Sequence, residues 1–182
     1  MADGRAAFDD PAPGPEPAAA DIALRERYLI HLLAVFDAVR TSKLEKGLKG
    51  VGLSVPKDRA LGWLTAAPGS SMTALARGTY IDRTTLTRAV DQLEADGHVR
   101  REPSVDDRRK VLLWLTPSGQ EQVRLGAAVT DTVNKTVAGA LDAATIEMMS
   151  VGLLHLLRAS ITDREVRYIL TGRTPLPTIP PK

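Results

Sequence analysis

Arg83, Thr84, Thr85, Thr87 and Arg88 stand within six consecutive positions, directly after Asp82. An arginine guanidinium is a two-pronged donor that fits guanine O6 and N7, and threonine offers a hydroxyl for phosphate and a methyl for thymine. If Asp82 caps a helix here, the first two turns carry these side chains outward while Leu86 and Val90 turn inward. A DNA major groove, about 12 Å wide, admits such a helix. The plain alternative is the polar face of an ordinary surface helix. Asp106, Asp107, Arg108 and Arg109 form a second cluster, in a stretch whose Pro103, Ser104 and aspartates read as a turn. A hairpin tip that reaches a narrow minor groove calls for arginine, because the negative potential is enhanced there. Either Arg108 or Arg109 is expected to enter it, and Asp107 is expected to orient an arginine at the wing base rather than touch DNA. Charges that merely pair with one another on a solvated turn are the plain reading.

Other chemistry finds little footing. The 182 residues contain no cysteine, so thiol catalysis, disulfides and Cys-ligated metals are out. The three histidines, His31, His98 and His155, are far apart and lack metal-ligand spacing. There is no Walker A loop, no H-E-x-x-H and no G-x-S-x-G. The glycine run Gly47–Gly52 has the wrong spacing for a dinucleotide loop. Neither an enzyme nor a cofactor is expected.

The elements around these clusters are mostly helical. Ile22, Leu29, Leu32, Leu33, Phe36 and Val39 recur at helical spacing after Asp21, and Leu24, Tyr28, His31 and Val35 form a second stripe. A helix apolar on two sides has to be sandwiched. Ser54 and Pro56 open a shorter helix over 57–66. Ser70 or Ser71 and Asp82 cap two more helices, whose inward positions are Met72, Leu75, Ala76, Ile81, Leu86, Val90 and Leu93; together they fit a helix-turn-helix. Residues 98–102 and 110–115 read as a two-stranded hairpin. Thr116-Pro117 starts a helix running to about Ala140, and Asp142 caps a last one, apolar over most of its circumference, which implies a partner subunit. The expected fold is mainly α with a small two-stranded β wing: a winged helix-turn-helix over 53–116, flanked by long dimerisation helices (21–52 and 117–161). A Pro/Ala-rich tail (1–20) and a Pro-rich tail (162–182) complete the chain.

Composition is that of a globular protein, 43% hydrophobic and 25% charged. No apolar run reaches membrane-spanning length, and the N-terminus lacks the pattern of a signal peptide, so a cytoplasmic protein without a membrane partner is expected. Net charge is +2. Residues 70–110 hold eight basic against seven acidic side chains, so a uniform basic face is absent. That balance leaves room for a winged helix that binds other proteins rather than specific DNA.

The stretch 72–119 resembles the DNA-binding core of the MarR family of bacterial regulators. The resemblance lies in IDRTTLTRAVDQLEADGHV, in Asp107-Arg108-Arg109 at the wing tip, and in Leu115-Thr116-x-x-Gly119. It implies a homodimeric DNA-binding regulator, a repressor by expectation, on a palindromic operator, whose affinity changes when a small molecule binds. It implies DNA contacts from Arg83, Thr84, Thr85, Thr87, Arg88, Arg108 and Arg109, with Asp107 in support. Aromatic acids are common effectors of such proteins. Tyr28, His31, Asp58, Arg59 and Trp63 are the residues here that could meet a ring and a carboxylate; core packing is the plain reading for Trp63 and Tyr28. The chain departs from the family at Tyr80, where glycine is usual. Tyr80 is expected to pack under the recognition helix, with a hydroxyl contact to phosphate as the alternative.

Overall fold

The computed structural model describes residues 22–105, 107 and 109–162. Of the expected tails, residues 1–20 and 163–182 lie outside the described residues, as do Asp106 and Arg108. The elements in chain order are α1 (Ile22–Lys49), α2 (Val55–Ala66), β1 (Ser70–Ser71), α3 (Met72–Thr79), α4 (Arg83–Ala95), β2 (Val99–Pro103), β3 (Val111–Leu115), α5 (Pro117–Ala138) and α6 (Ala143–Ser160). The chain divides into two units between Ala38 and Val39, inside α1.

The unit from Val39 onward holds the core. Leu48, Leu61, Leu64, Leu75, Leu86 and Leu93 are 0–1% exposed and bring α1's last turns, α2, α3 and α4 together. Each such side chain contributes roughly 1.5–3 kcal/mol through burial. Val123, Val129 and Val133 of α5 pack against this cluster. Polar caps set the helix starts. Ser71 accepts a hydrogen bond from the Ala74 amide, Asp82 from Thr85, Thr116 from Gly119 and Asp142 from Thr145. Ser54 precedes α2 without a side-chain cap bond, and the helix starts at Val55, two residues before the position that proline spacing suggested.

The sheet differs from expectation by one strand. It has three, in the order β1-β3-β2, all antiparallel. β1 is only Ser70–Ser71, too short and too weak in β-propensity to register as a strand in the sequence. It is held from the side. Ser70 donates to the Ala67 carbonyl and accepts from the indole N–H of Trp63, while the Gly69 amide donates to Leu113. The β2–β3 hairpin pairs Val99 with Leu115 through Pro103 with Val111, and the Ser104 amide closes it onto the Lys110 carbonyl.

Two glycines mark close approaches. A Cβ on Gly119 would strike the His98 carbonyl, so the first turn of α5 lies against the start of β2. Thr116 completes that joint by donating to the Gly97 carbonyl. A Cβ on Gly78 would enter the Trp63 ring, which therefore lies flat on α3.

The terminal helices are bare by contrast. Along α1, Tyr28, Leu29, Ile30, Leu32, Val35 and Phe36 are exposed. In α6 Leu154 is buried while Ile146, Met148, Met149, Leu153, Leu156 and Leu157 are exposed. Among the described residues no single helix is long and apolar enough to cross a membrane, and α5 and α6 together meet that test only across a 106° bend.

Candidate nucleic-acid interface

α4 is anchored by Leu86, Ala89, Val90 and Leu93, which are buried against the core. That fixes its other side as the solvent face. Arg83, Thr84, Thr85 and Arg88 are exposed there, and Arg83, Thr84, Thr87 and Arg88 line one shallow open concavity. Thr87 is half-buried and donates its hydroxyl proton to the Arg83 carbonyl, so it offers a partner only acceptor lone pairs and its methyl group. The Asp82 carboxylate accepts the Thr85 amide at 2.9 Å, and that hydrogen bond holds the carboxyl below its ordinary pKa.

Charge around α4 is sorted in a way that residue counts conceal. Arg101, on β2, bridges Asp91 at 2.6 Å and Glu94 at 2.7 Å, tying the wing to the recognition helix. Lys57 of α2 holds Asp96 at 2.9 Å. Arg100 pairs with Glu102 and lies over the Trp114 ring, 5.7 Å from its centroid. Asp107 faces Arg109 and Lys110. Asp82 spends its charge on the helix cap. Every described acid of the 70–110 region is thus engaged within the protein. Among the described residues, none pairs with Arg77, Arg83 or Arg88. The near-equal count of bases and acids therefore does not describe the surface: the acids are neutralised toward the helix's far end and the wing, and free guanidiniums remain around its start.

At the wing tip the Arg109 side chain is 93% exposed, with its Nε 3.3 Å from Asp107 Oδ1. Asp107 also accepts the Arg109 amide at 3.1 Å, the main reason its carboxyl stays below the usual range. The aspartate thus orients Arg109 at the tip, two residues on, and not an arginine at the wing base. Arg108, the other candidate for the groove, lies outside the described residues.

The effector candidates are scattered. Tyr28 is 63% exposed and His31 is exposed, both on the part of α1 before Val39. Asp58 and Arg59 are half-buried on α2, where Asp58 lies so near Gly126 of α5 that a Cβ there would collide with its carboxylate. For Trp63 the plain reading, core packing, is the one the structure has, against its place among the effector candidates. Trp63 is 7% exposed, stacked on Gly78 and bonded to Ser70, so it is a core residue and presents no open ring. Tyr80 is a second correction. The sequence expectation is packing under the recognition helix, yet Tyr80 is 61% exposed and takes a left-handed backbone at the end of α3. Arg77 and Arg101 were not singled out from the sequence. Arg77 sits on a helix expected to be scaffold, and the role of Arg101 appears only when β2 is laid beside α4.

Comparison with known proteins finds one family. The MarR family model matches residues 51–110. A MarR family transcriptional regulator from Silicibacter pomeroyi is similar in structure, at a TM-score of 0.68 and 26% identity, over 78% of this chain and 97% of that one. Over residues 51–110 the chain carries the MarR family pattern, and its fold is that of MarR-family regulators. A second solved relative is a Mycobacterium tuberculosis MarR family protein in complex with p-aminosalicylic acid, at a TM-score of 0.59 and 26% identity over 70% of this chain and 97% of that one. The transcriptional repressor NicR of Pseudomonas putida is 31% identical over 96 residues, 53% of this chain and 58% of NicR. Matches to curated relatives span between 38% and 71% of their own lengths. The joints described above account for the MarR pattern physically: Asp82 caps, Asp107 orients Arg109, Thr116 caps α5, and Gly119 lets α5 meet β2.

Proposed function

We propose that this MarR-family chain is a sequence-specific DNA-binding transcriptional repressor, acting in the cytoplasm as a homodimer on an inverted-repeat operator and released by a small aromatic acid. The observation that carries the reading is the sorting of charge: free arginines at the start of a capped, outward-facing helix whose acids are neutralised elsewhere. Arg83 and Arg88 read base edges, with Thr84, Thr85 and Thr87 beside them, while Arg109 or Arg108 enters the adjoining minor groove. The exposed apolar faces of α1 and α6 favour a second copy. Twofold symmetry then sets half-sites about 34–36 Å apart.

The effector reading draws on the relative holding p-aminosalicylic acid, an aromatic carboxylate. Tyr28, His31, Asp58 and Arg59 are the side chains here with suitable chemistry. Release requires that the acid bind the DNA-free form better than the DNA-bound form; equal affinity would shift nothing. Repression is the direction the NicR name suggests. The test is selection of genomic fragments by the purified protein, followed by sequencing. One enriched inverted repeat is expected, and a reporter under that site should rise when the gene is deleted. No enrichment at low salt ends the DNA reading, a reporter that falls ends the repressor reading, and an operator complex indifferent to aromatic acids ends the effector reading.

A further inference from the structure

Tyr80 has no structural reason to be a tyrosine. It ends α3 at φ 54°, ψ 33°, with its amide donating to the Ala76 carbonyl. Glycine takes that conformation freely, whereas a bulky side chain there is strained. Burial could compensate, but the ring is 61% exposed. Strain retained without packing is a reason to look for a function. Tyr80 lines a shallow groove together with Ala76, Arg77, Ile81 and Asp82. Arg77 is exposed on the last turn of α3, and among the described residues neither its guanidinium nor the Tyr80 hydroxyl has a partner. The Asp82 carboxylate is the one unfavourable group for an anion, and it is committed to the Thr85 amide.

We propose that this groove between α3 and α4 seats a phosphate of the DNA backbone, with Arg77 supplying the charge and the Tyr80 hydroxyl a hydrogen bond. The seat rests on the DNA-binding reading above and adds a contact outside the recognition helix and the wing. Phosphate contacts set register rather than sequence. Tyr80 would fix where the duplex backbone crosses the helix-turn-helix, so that Arg83 and Arg88 meet the base edges in one position.

The test uses the full chain and a labelled duplex of mixed sequence, about 30 base pairs long, enough for two half-sites. Binding is titrated from about 50 to about 200 mM salt. Arg77→Ala should weaken binding about tenfold at the low end and flatten the logarithmic salt dependence by about one ion. A helix-end arginine with only a structural role would lower the melting temperature and leave the salt slope alone. Tyr80→Phe keeps the ring and the backbone; it should weaken binding about two- to tenfold with the slope unchanged. Tyr80→Gly should melt higher than the unaltered protein and still bind more weakly. Unaltered affinity in Arg77→Ala or Tyr80→Phe removes that residue from the seat, and unaltered affinity in both overturns it. Failure of the unaltered protein to bind the duplex at the lowest salt overturns the DNA reading itself and this proposal with it.

Discussion

α4 and α6 are helices of the same compact unit with opposite surfaces. α4 buries Leu86, Ala89, Val90 and Leu93 and turns arginines and threonines to solvent. α6 is the more apolar of the two, yet only Leu154 is buried and leucines and methionines face outward. The described residues cover the apolar side of α4 and leave that of α6 exposed. Hydrophobic sequence does not by itself make core; a helix is core only where something is folded against it. Among the described residues α4 pairs a buried apolar side with an exposed polar one, whereas α6 leaves most of its apolar side exposed.

The comparison can be broken most severely at α6. Leu153→Glu combined with Leu157→Glu should leave monomers in light scattering and lower operator affinity by at least about a hundredfold, since the two heads then bind independently. A double variant that stays dimeric would mean the exposed α6 face is not the interface. Next in size is the scaffold beneath α4. Gly78→Ala forces a methyl group into the Trp63 ring and should cost about 1–3 kcal/mol in chemical denaturation; unchanged stability would show that the ring can move aside. On α4, Arg88→Ala should lose about 1–3 kcal/mol of operator binding with an unchanged melting curve. A uniform loss across all sequences would make Arg88 a phosphate contact instead.

The smallest effect is acid titration of the caps. The Asp82, Asp107 and Asp142 carboxyls are held low mainly by the Thr85, Arg109 and Thr145 amides. Groups with depressed pKa values contribute fully above the unfolded value, near 4, and lose that contribution as pH falls through the lower folded value. From these groups the melting temperature should be flat between about pH 8 and pH 5 and decline only below about pH 4. Asp82→Asn keeps a good capping residue and should soften the acid decline; an identical decline would assign it to other groups.

The sequence made legible whatever depends on neighbours along the chain. Caps at Asp82, Thr116 and Asp142, and the inward positions Leu75, Leu86, Val90 and Leu93, follow from spacing alone and recur in the structure, while the open choice between Ser70 and Ser71 falls to Ser71. What depended on neighbours in space was hidden. The strand Ser70–Ser71 exists because Trp63 and β3 hold it. The pairing of Arg101 with Asp91 and Glu94 joins residues from two elements, so a charge count read the region as neutral where the structure sorts it. Tyr80 misled because an aromatic in a tight turn usually finds core, and no residue pattern announces a left-handed φ.

The stacking of Trp63 on Gly78 also constrains how this gene can drift. Every missense change at a glycine codon adds a Cβ, and the indole occupies the place where it would go. Change at position 78 is therefore costly while Trp63 stands, and becomes cheaper once the tryptophan has been traded for something smaller. Two residues on, position 80 has the opposite prospects, since a glycine there would relax the backbone at once. In living descendants of this sequence, positions 63 and 78 should change together or not at all, and the persistence of a side chain at 80 would measure how much the cell needs it.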